Sequence, residues 1–240
     1  MQLPAKISPN PLLTSTVELR LNSKYPREEI LAKVLSHFLP SLPILKEGPI
    51  PYQVREDDPK FEYTPDFILS NKDFSLSFSH NMISFESVGE YKLWPNYFGF
   101  IMEQLNSLCE LAVFQNVIRI GVRYASIFDG VKEINNCLKN TPVLSVEGFN
   151  TDGLRLIASK FRKEDAIISL QLRPNTKIVK ESGTLLGLVV DIDVSKTFSE
   201  NTAFDNGVFA TIDAFHSIEK DFLFNGLLKE DFVASLSPEY

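Results

Sequence analysis

Residues 65–88 read "PDFILSNKDFSLSFSHNMISFESV". Phe74, Leu76 and Phe78 alternate with Ser75, Ser77 and Ser79, the two-residue period of a half-buried strand. "SNKD" and "SHN" interrupt the apolar runs with residues that favour tight turns. The stretch therefore predicts three short strands joined as an antiparallel meander. Strands tied by hairpins build a sheet with one apolar and one polar face, and helices must cover the apolar one. That sets the expected class as α+β, a mostly antiparallel sheet with helices packed on one face.

The flanking sequence agrees. In "STVELRL" (15–21), Val17, Leu19 and Leu21 alternate with Glu18 and Arg20, predicting another half-buried strand. "NSKYPREEILAKVLSHFLP" (22–40) reads as a helix, with Pro26, Glu28 and Glu29 at its start and Pro40 at its stop. Residues 40–66 hold Pro40, Pro43, Pro49, Pro51, Pro59 and Pro65 and predict a long polar connection. Its charged run Arg55, Glu56, Asp57, Asp58 is a candidate partner-facing loop. The competing reading is a wrapping segment pinned by Tyr52, Phe61 and Tyr63.

After the meander, "YKLWPNYFGFIMEQLNSLCELA" (91–112) shows Phe98, Ile101, Leu105 and Leu108 at helical spacing, with Trp94 as an expected anchor at its entry. A strand over 117–128, a short helix over 130–139 and a short strand "TPVLSVEG" (141–148) follow. "GLRLIASKFRK" and "DAIISLQLRP" predict an antiparallel pair turning near Lys163 and Glu164, and "GTLLGLVVDIDVSK" a long strand. Residues 206–226 read as an amphipathic helix ending at Gly226, and 229–236 as a last short one. The halves 1–115 and 116–240 share a strand–helix–strands–helix order, which suggests duplication of one module, without a residue-level repeat to establish it. One unit over 1–240 is the expected domain organisation.

The chain has 240 residues, 44% hydrophobic and 23% charged, with a formal net charge of −7. The acidity is even, net −4 over 1–115 (10 Lys/Arg, 14 Asp/Glu) and −3 over 116–240 (14 and 17). That balance disfavours phosphate-backbone binding, so no nucleic-acid partner is expected. No apolar run nears the roughly 18 residues of a membrane span, and the Pro-rich start is no secretory signal, so a cytoplasmic protein without a membrane partner is expected. Cys109 and Cys137 read as buried free thiols on helices. His37, His80 and His216 lack metal-site spacing, and no metal or cofactor is expected. Nucleotide-loop, nucleophile-elbow and zincin motifs are all missing, which favours a binding protein over an enzyme.

The charges that need explaining lie in "RIGVRY" (119–124) and "VVDIDVS" (189–195). Alternation puts Arg119, Gly121 and Arg123 on one face of their strand, and Ile118, Ile120, Val122 and Tyr124 on the core face. Asp191 and Asp193 likewise oppose an expected apolar set, Leu186, Leu188, Val190, Ile192 and Val194. These four charged residues predict at least one cross-strand Arg–Asp pair, and they are the candidate ligand or partner contacts. No catalytic residue is assigned.

Several segments together resemble a sporadically distributed family of uncharacterised bacterial proteins. They are "NPLLTSTVELRL" with Asn10, Pro11, Glu18 and Arg20, then Tyr91, Trp94 and Tyr97/Phe98 at a helix entry. Arg119, Gly121, Arg123 and Tyr124 follow, and then His216 and Phe222 before "LLKEDF". The family's second proline after Asn10 is replaced by Leu12. The scattered distribution of the family implies a toxin–immunity or defence setting. The leading expectation is a protein-binding module that neutralises a toxin domain, an immunity or antitoxin-like protein whose acidity suits a basic partner. The alternative is a small-ligand binder or enzyme with a polar groove over the sheet, and an oligomeric scaffold is a third reading.

Overall fold

Alternation along Leu12–Asn22 (β1) decides which way this strand faces. Ser15, Val17, Leu19 and Leu21 are buried while Thr16, Glu18 and Arg20 are half-exposed. The computed structural model describes residues 3–56, 58–140, 156–180, 183–199 and 202–240. The expected strand at 141–148 lies outside them. The strands are β1, β2 (Ile44–Glu47), β3 (Phe67–Ser70), β4 (Phe74–Phe78), β5 (Met82–Ser87), β6 (Asn116–Asp129), β7 (Ile157–Lys163), β8 (Ala166–Lys180) and β9 (Gly183–Thr197). They form an antiparallel sheet in the order β2-β3-β4-β5-β1-β6-β9-β8-β7. The helices are α1 (Arg27–Phe38), α2 (Tyr52–Glu56), α3 (Trp94–Leu111), α4 (Asn206–Asp221) and α5 (Glu230–Ser235). The class is α+β.

The contacts group the chain into two units. One comprises Ser15–Val122 and Ser195–Ala214, the other Met1–Thr14, Arg123–Val194 and Phe215–Tyr240.

In the first unit the meander forms as its alternation requires. Val17 faces Phe85 and Leu19 faces Ile83 across β1 and β5, and Leu76 faces both Phe85 and Leu69. One face of these strands is thus apolar, and α1 and α3 supply its cover. Ile30, Leu31, Val34 and Phe38 of α1 are buried, as are Tyr97, Ile101, Leu105 and Leu108 of α3. The anchor of α3 is Tyr97 rather than Trp94. Its hydroxyl reaches the carbonyls of Ser15 and Phe85 at 3.2 and 2.6 Å, tying the helix to two neighbouring strands. Its ring stacks on Phe74. The Trp94 indole instead donates to Asp213 at 2.7 Å and stacks on Phe98.

In the second unit β7 and β8 form the expected hairpin, from Ile157 opposite Leu172 to Lys163 opposite Ala166. Glu164 takes φ 55 in its turn. The helix expected over 130–139 reduces to a single 3-10 turn at Ile134–Asn136. The following backbone is spent on pairing, since Lys139 N–H donates to the Leu227 carbonyl and Lys229 N–H to that of Cys137. Cys137 is therefore buried but not helical, while Cys109 lies in α3, and both are free thiols. The end expected at Gly226 becomes a π-helical turn, Phe222–Leu227. Phe222 packs on Phe161 of β7, and Lys163 pairs with Asp221 at 2.9 Å.

Glu219, on the last turn of α4, is buried in this unit. Burial pushes its carboxyl up to about 8, opposed by a smaller pull from Lys220. A carboxyl with a raised folded-state pKa keeps its proton in the native state while the unfolded chain loses it. Its contribution is therefore fully present below the ordinary carboxylate range and is lost as pH rises towards about 8. At ~1.4 kcal/mol per pKa unit, the effect is on the order of 5 kcal/mol. Urea denaturation of the wild type and Glu219→Gln from pH 5 to 8 measures it. The variant should gain on the wild type as pH rises, and a constant difference would refute the assignment.

Candidate functional site

Thr16, Glu18 and Arg20 of β1 lie on the sheet face opposite the apolar one, in register with Glu86, Ser84 and Met82 of β5. Ser75 and Ser77 of β4 continue these rows. At the end of the β3–β4 ladder Asp66 N–H donates to the Phe78 carbonyl, and the Asp66 carboxylate lies within reach of Arg27 of α1 and Arg55 of α2. Charges here need partners, and the chain meets that need with a recurring arrangement in which one carboxylate sits between two arginines.

The three instances differ in depth. Glu18 takes Arg20 Nε at 2.9 Å and Arg119 Nη1 at 3.0 Å, all three half-exposed. Asp191 takes Arg123 in a two-pronged pair, Nε to Oδ1 at 2.8 Å and Nη2 to Oδ2 at 2.7 Å, with Arg173 Nη2 at 3.7 Å. Asp191 is buried, but about half of each of those arginine side chains remains in solvent. Asp66 takes Arg27 and Arg55 through the same oxygen, Oδ1. Here the carboxylate and the Arg55 side chain are only 4% and 5% exposed. Arg55 also donates to the Thr64 carbonyl.

Two of the four charged strand residues singled out by sequence meet directly, in the Arg123–Asp191 pair. Arg119 also pairs with Glu18 of β1, and Asp193 lies half-buried on β9. Gly121 has a local reason. A Cβ built there would come within 2.6 Å of Arg119 Nη1, so the glycine leaves room for that guanidinium to lie along the strand.

Arg55 of the charged run turns its guanidinium inward, donating to Asp66 and to the Thr64 carbonyl. Asp58 caps the 3-10 turn Pro59–Phe61 by accepting from Lys60 N–H at 2.9 Å. The Glu56 side chain and Asp57 lie outside the described residues. The wrapping role expected of Tyr52 and Tyr63 is met by stacking on arginine. Tyr52 lies 3.8 Å from the Arg27 guanidinium carbon and Tyr63 4.1 Å from that of Arg20.

A cavity of about 350 Å³ opens beside this third cluster, lined by Tyr52, Arg55, Pro59, Glu62, His80 and Asn81. His80 and Asn81 form the β4–β5 turn, which the ladder places at the Asp66 end of the strands. Burial lowers the His80 pKa, Asp66 opposes that shift, and Arg27 and Arg55 reinforce it. Four buried polar atoms here find no partner among the described residues, namely Arg27 Nε, Arg55 Nε, Asp66 Oδ2 and His80 Nδ1. Each such donor or acceptor costs about 1–3 kcal/mol where it stays unsatisfied.

A second cavity, about 430 Å³, lies in the other unit against Ile157, Phe161, Leu170, Leu172, Phe222 and Leu227 and is mainly apolar. No group of three or more metal-ligating side chains occurs among the described residues. No helix among them is long and apolar enough to cross a membrane. No family model, curated protein or solved structure matches this chain.

The depths of the clusters predict different sensitivities. Asp66→Asn strands two guanidiniums, one of them deeply buried, and should cost about 3–5 kcal/mol. Asp191→Asn leaves arginines that solvent can rehydrate and should cost about 1 kcal/mol. Chemical denaturation of both variants checks the ranking, and equal losses would contradict it.

Proposed function

We propose that this chain is a small-ligand-binding protein and that its site is the Tyr52–Arg55–His80 cavity. The observation that carries the reading is Arg55, an arginine only 7% exposed that lines the cavity while its Nε lacks a partner among the described residues. A charge is rarely buried without full pairing, and a pocket with a few convergent polar groups is the usual form of a ligand site. The volume falls in the range of small-molecule pockets, ~300–1,000 Å³. This reading sets the site beside the β4–β5 turn and the proline-rich connection, apart from the polar groove over the sheet anticipated by the sequence.

A thermal-shift screen of the intact protein against anionic, neutral and cationic metabolites tests this. At least one class should raise Tm in the wild type and fail to do so in Arg55→Lys, which keeps the charge but loses the planar fork. Unchanged melting across all three classes would reject the pocket reading.

A second reading, a module that binds and neutralises a toxin domain in the manner of an immunity protein, draws on the net charge of −7. It also draws on the exposed apolar residues Ile44, Leu45 and Val54 on β2 and α2. An acidic surface with apolar contacts suits a basic protein partner. Co-expression with the neighbouring gene product should then yield a co-purifying pair that Leu45→Lys disrupts. Separate elution and no relief of toxicity would dismiss it.

A further inference from the structure

The pocket reading leaves the chemistry of the ligand open, and the groups around the cavity narrow it. Two arginines converge on one carboxylate oxygen, and the Nε of each is buried without a partner among the described residues. Those N–H groups can only donate. His80, across the same cavity, has a buried Nδ1 that likewise lacks a partner. A neutral imidazole carries one donor and one acceptor, while the protonated ring carries two donors. The charged groups facing His80 are Asp66 from the start of β3, Arg27 from α1, Arg55 from α2 and Glu62 from the segment after the 3-10 turn. Two cations and two anions therefore surround the imidazole. Of the anions, Asp66 is already engaged by both arginines and Glu62 sits on the exposed rim. Of the residues that line the cavity, Arg55 and His80 carry the buried donors, and Asp66 is paired to Arg55.

We propose that Arg55 and His80 hold an oxyanion, the carboxylate or phosphate group of the ligand, and that protonation of His80 tightens its hold. Arg55 supplies a planar, permanently charged donor that suits either oxyanion. His80 supplies the variable part. As a neutral ring it offers one N–H, and as an imidazolium it adds a second donor and a full charge close to the bound group. The inference rests on the pocket reading and adds to it the ligand's chemical class and its pH dependence.

The test uses sulfate and formate, whose charges stay fixed from pH 5.5 to 8.0, so any change in binding reports the protein. Titrations of the full chain, followed by imidazole nitrogen shifts and by calorimetry, give affinity against pH. Binding of at least one probe should strengthen about five- to tenfold from pH 8.0 to 5.5, as expected for one added charge at a partly buried site. Sulfate against formate separates a phosphate-like from a carboxylate-like preference. His80→Gln should keep binding at its high-pH strength and lose the pH dependence. Arg55→Lys should weaken both probes at every pH. The same slope in His80→Gln and wild type would overturn the role of His80. Binding of only neutral or cationic compounds in the wider screen would overturn the oxyanion assignment while leaving the pocket reading intact. No binding by any class would remove both.

Discussion

A pleated strand hides one face under helices at little cost, but it must find partners for whatever charge it carries on the other. That constraint explains more of this molecule than any single contact. Glu18, Asp66 and Asp191 each take two arginines, so charge in both units is held by a repeated cation–anion–cation arrangement. The consequences follow from depth. Where the arginines stay wet, as around Asp191, the pairing fixes geometry and contributes little net energy. Where one is dry, as Arg55 is beside Asp66, removing the carboxylate strands a buried charge and costs more.

The sheet was plain in the sequence because its signals are local. Serine–apolar alternation set the faces of β4, and Val17, Leu19 and Leu21 set that of β1. The error at 130–139 is just as local. Val131, Ile134, Cys137 and Leu138 are spaced as on a helix, yet Asn135 and Asn136 between them are weak helix formers. The neighbouring carbonyls and amides found better use in pairing with the chain at Leu227–Lys229.

The cavity cluster left no comparable trace. Arg27, Arg55, Asp66 and His80 come from a helix start, a proline-rich connection, a strand edge and a turn, and no spacing rule links them. Arg55 stood in a run of charges, which usually marks a solvated surface, and here burial overrode that expectation. One clue was available. Asp66 directly precedes a strand, where a lone carboxylate demands a partner. The Arg123–Asp191 pair was the easier inference, since both residues lie on regular strands where alternation alone fixes the face.

The lone tryptophan gives the first unit a native optical handle. Trp94 stacks on Phe98 of its own helix and reaches Asp213 of α4. The indole's emission therefore depends on whether α3 and the first part of α4 are docked side by side. A shift towards the red on loosening of that contact would be visible without any label, in a background of tyrosines that absorb at shorter wavelengths. The fluorescence of this chain is thus a gauge of one helix–helix junction, and it can be followed separately from the strands that carry the charge clusters.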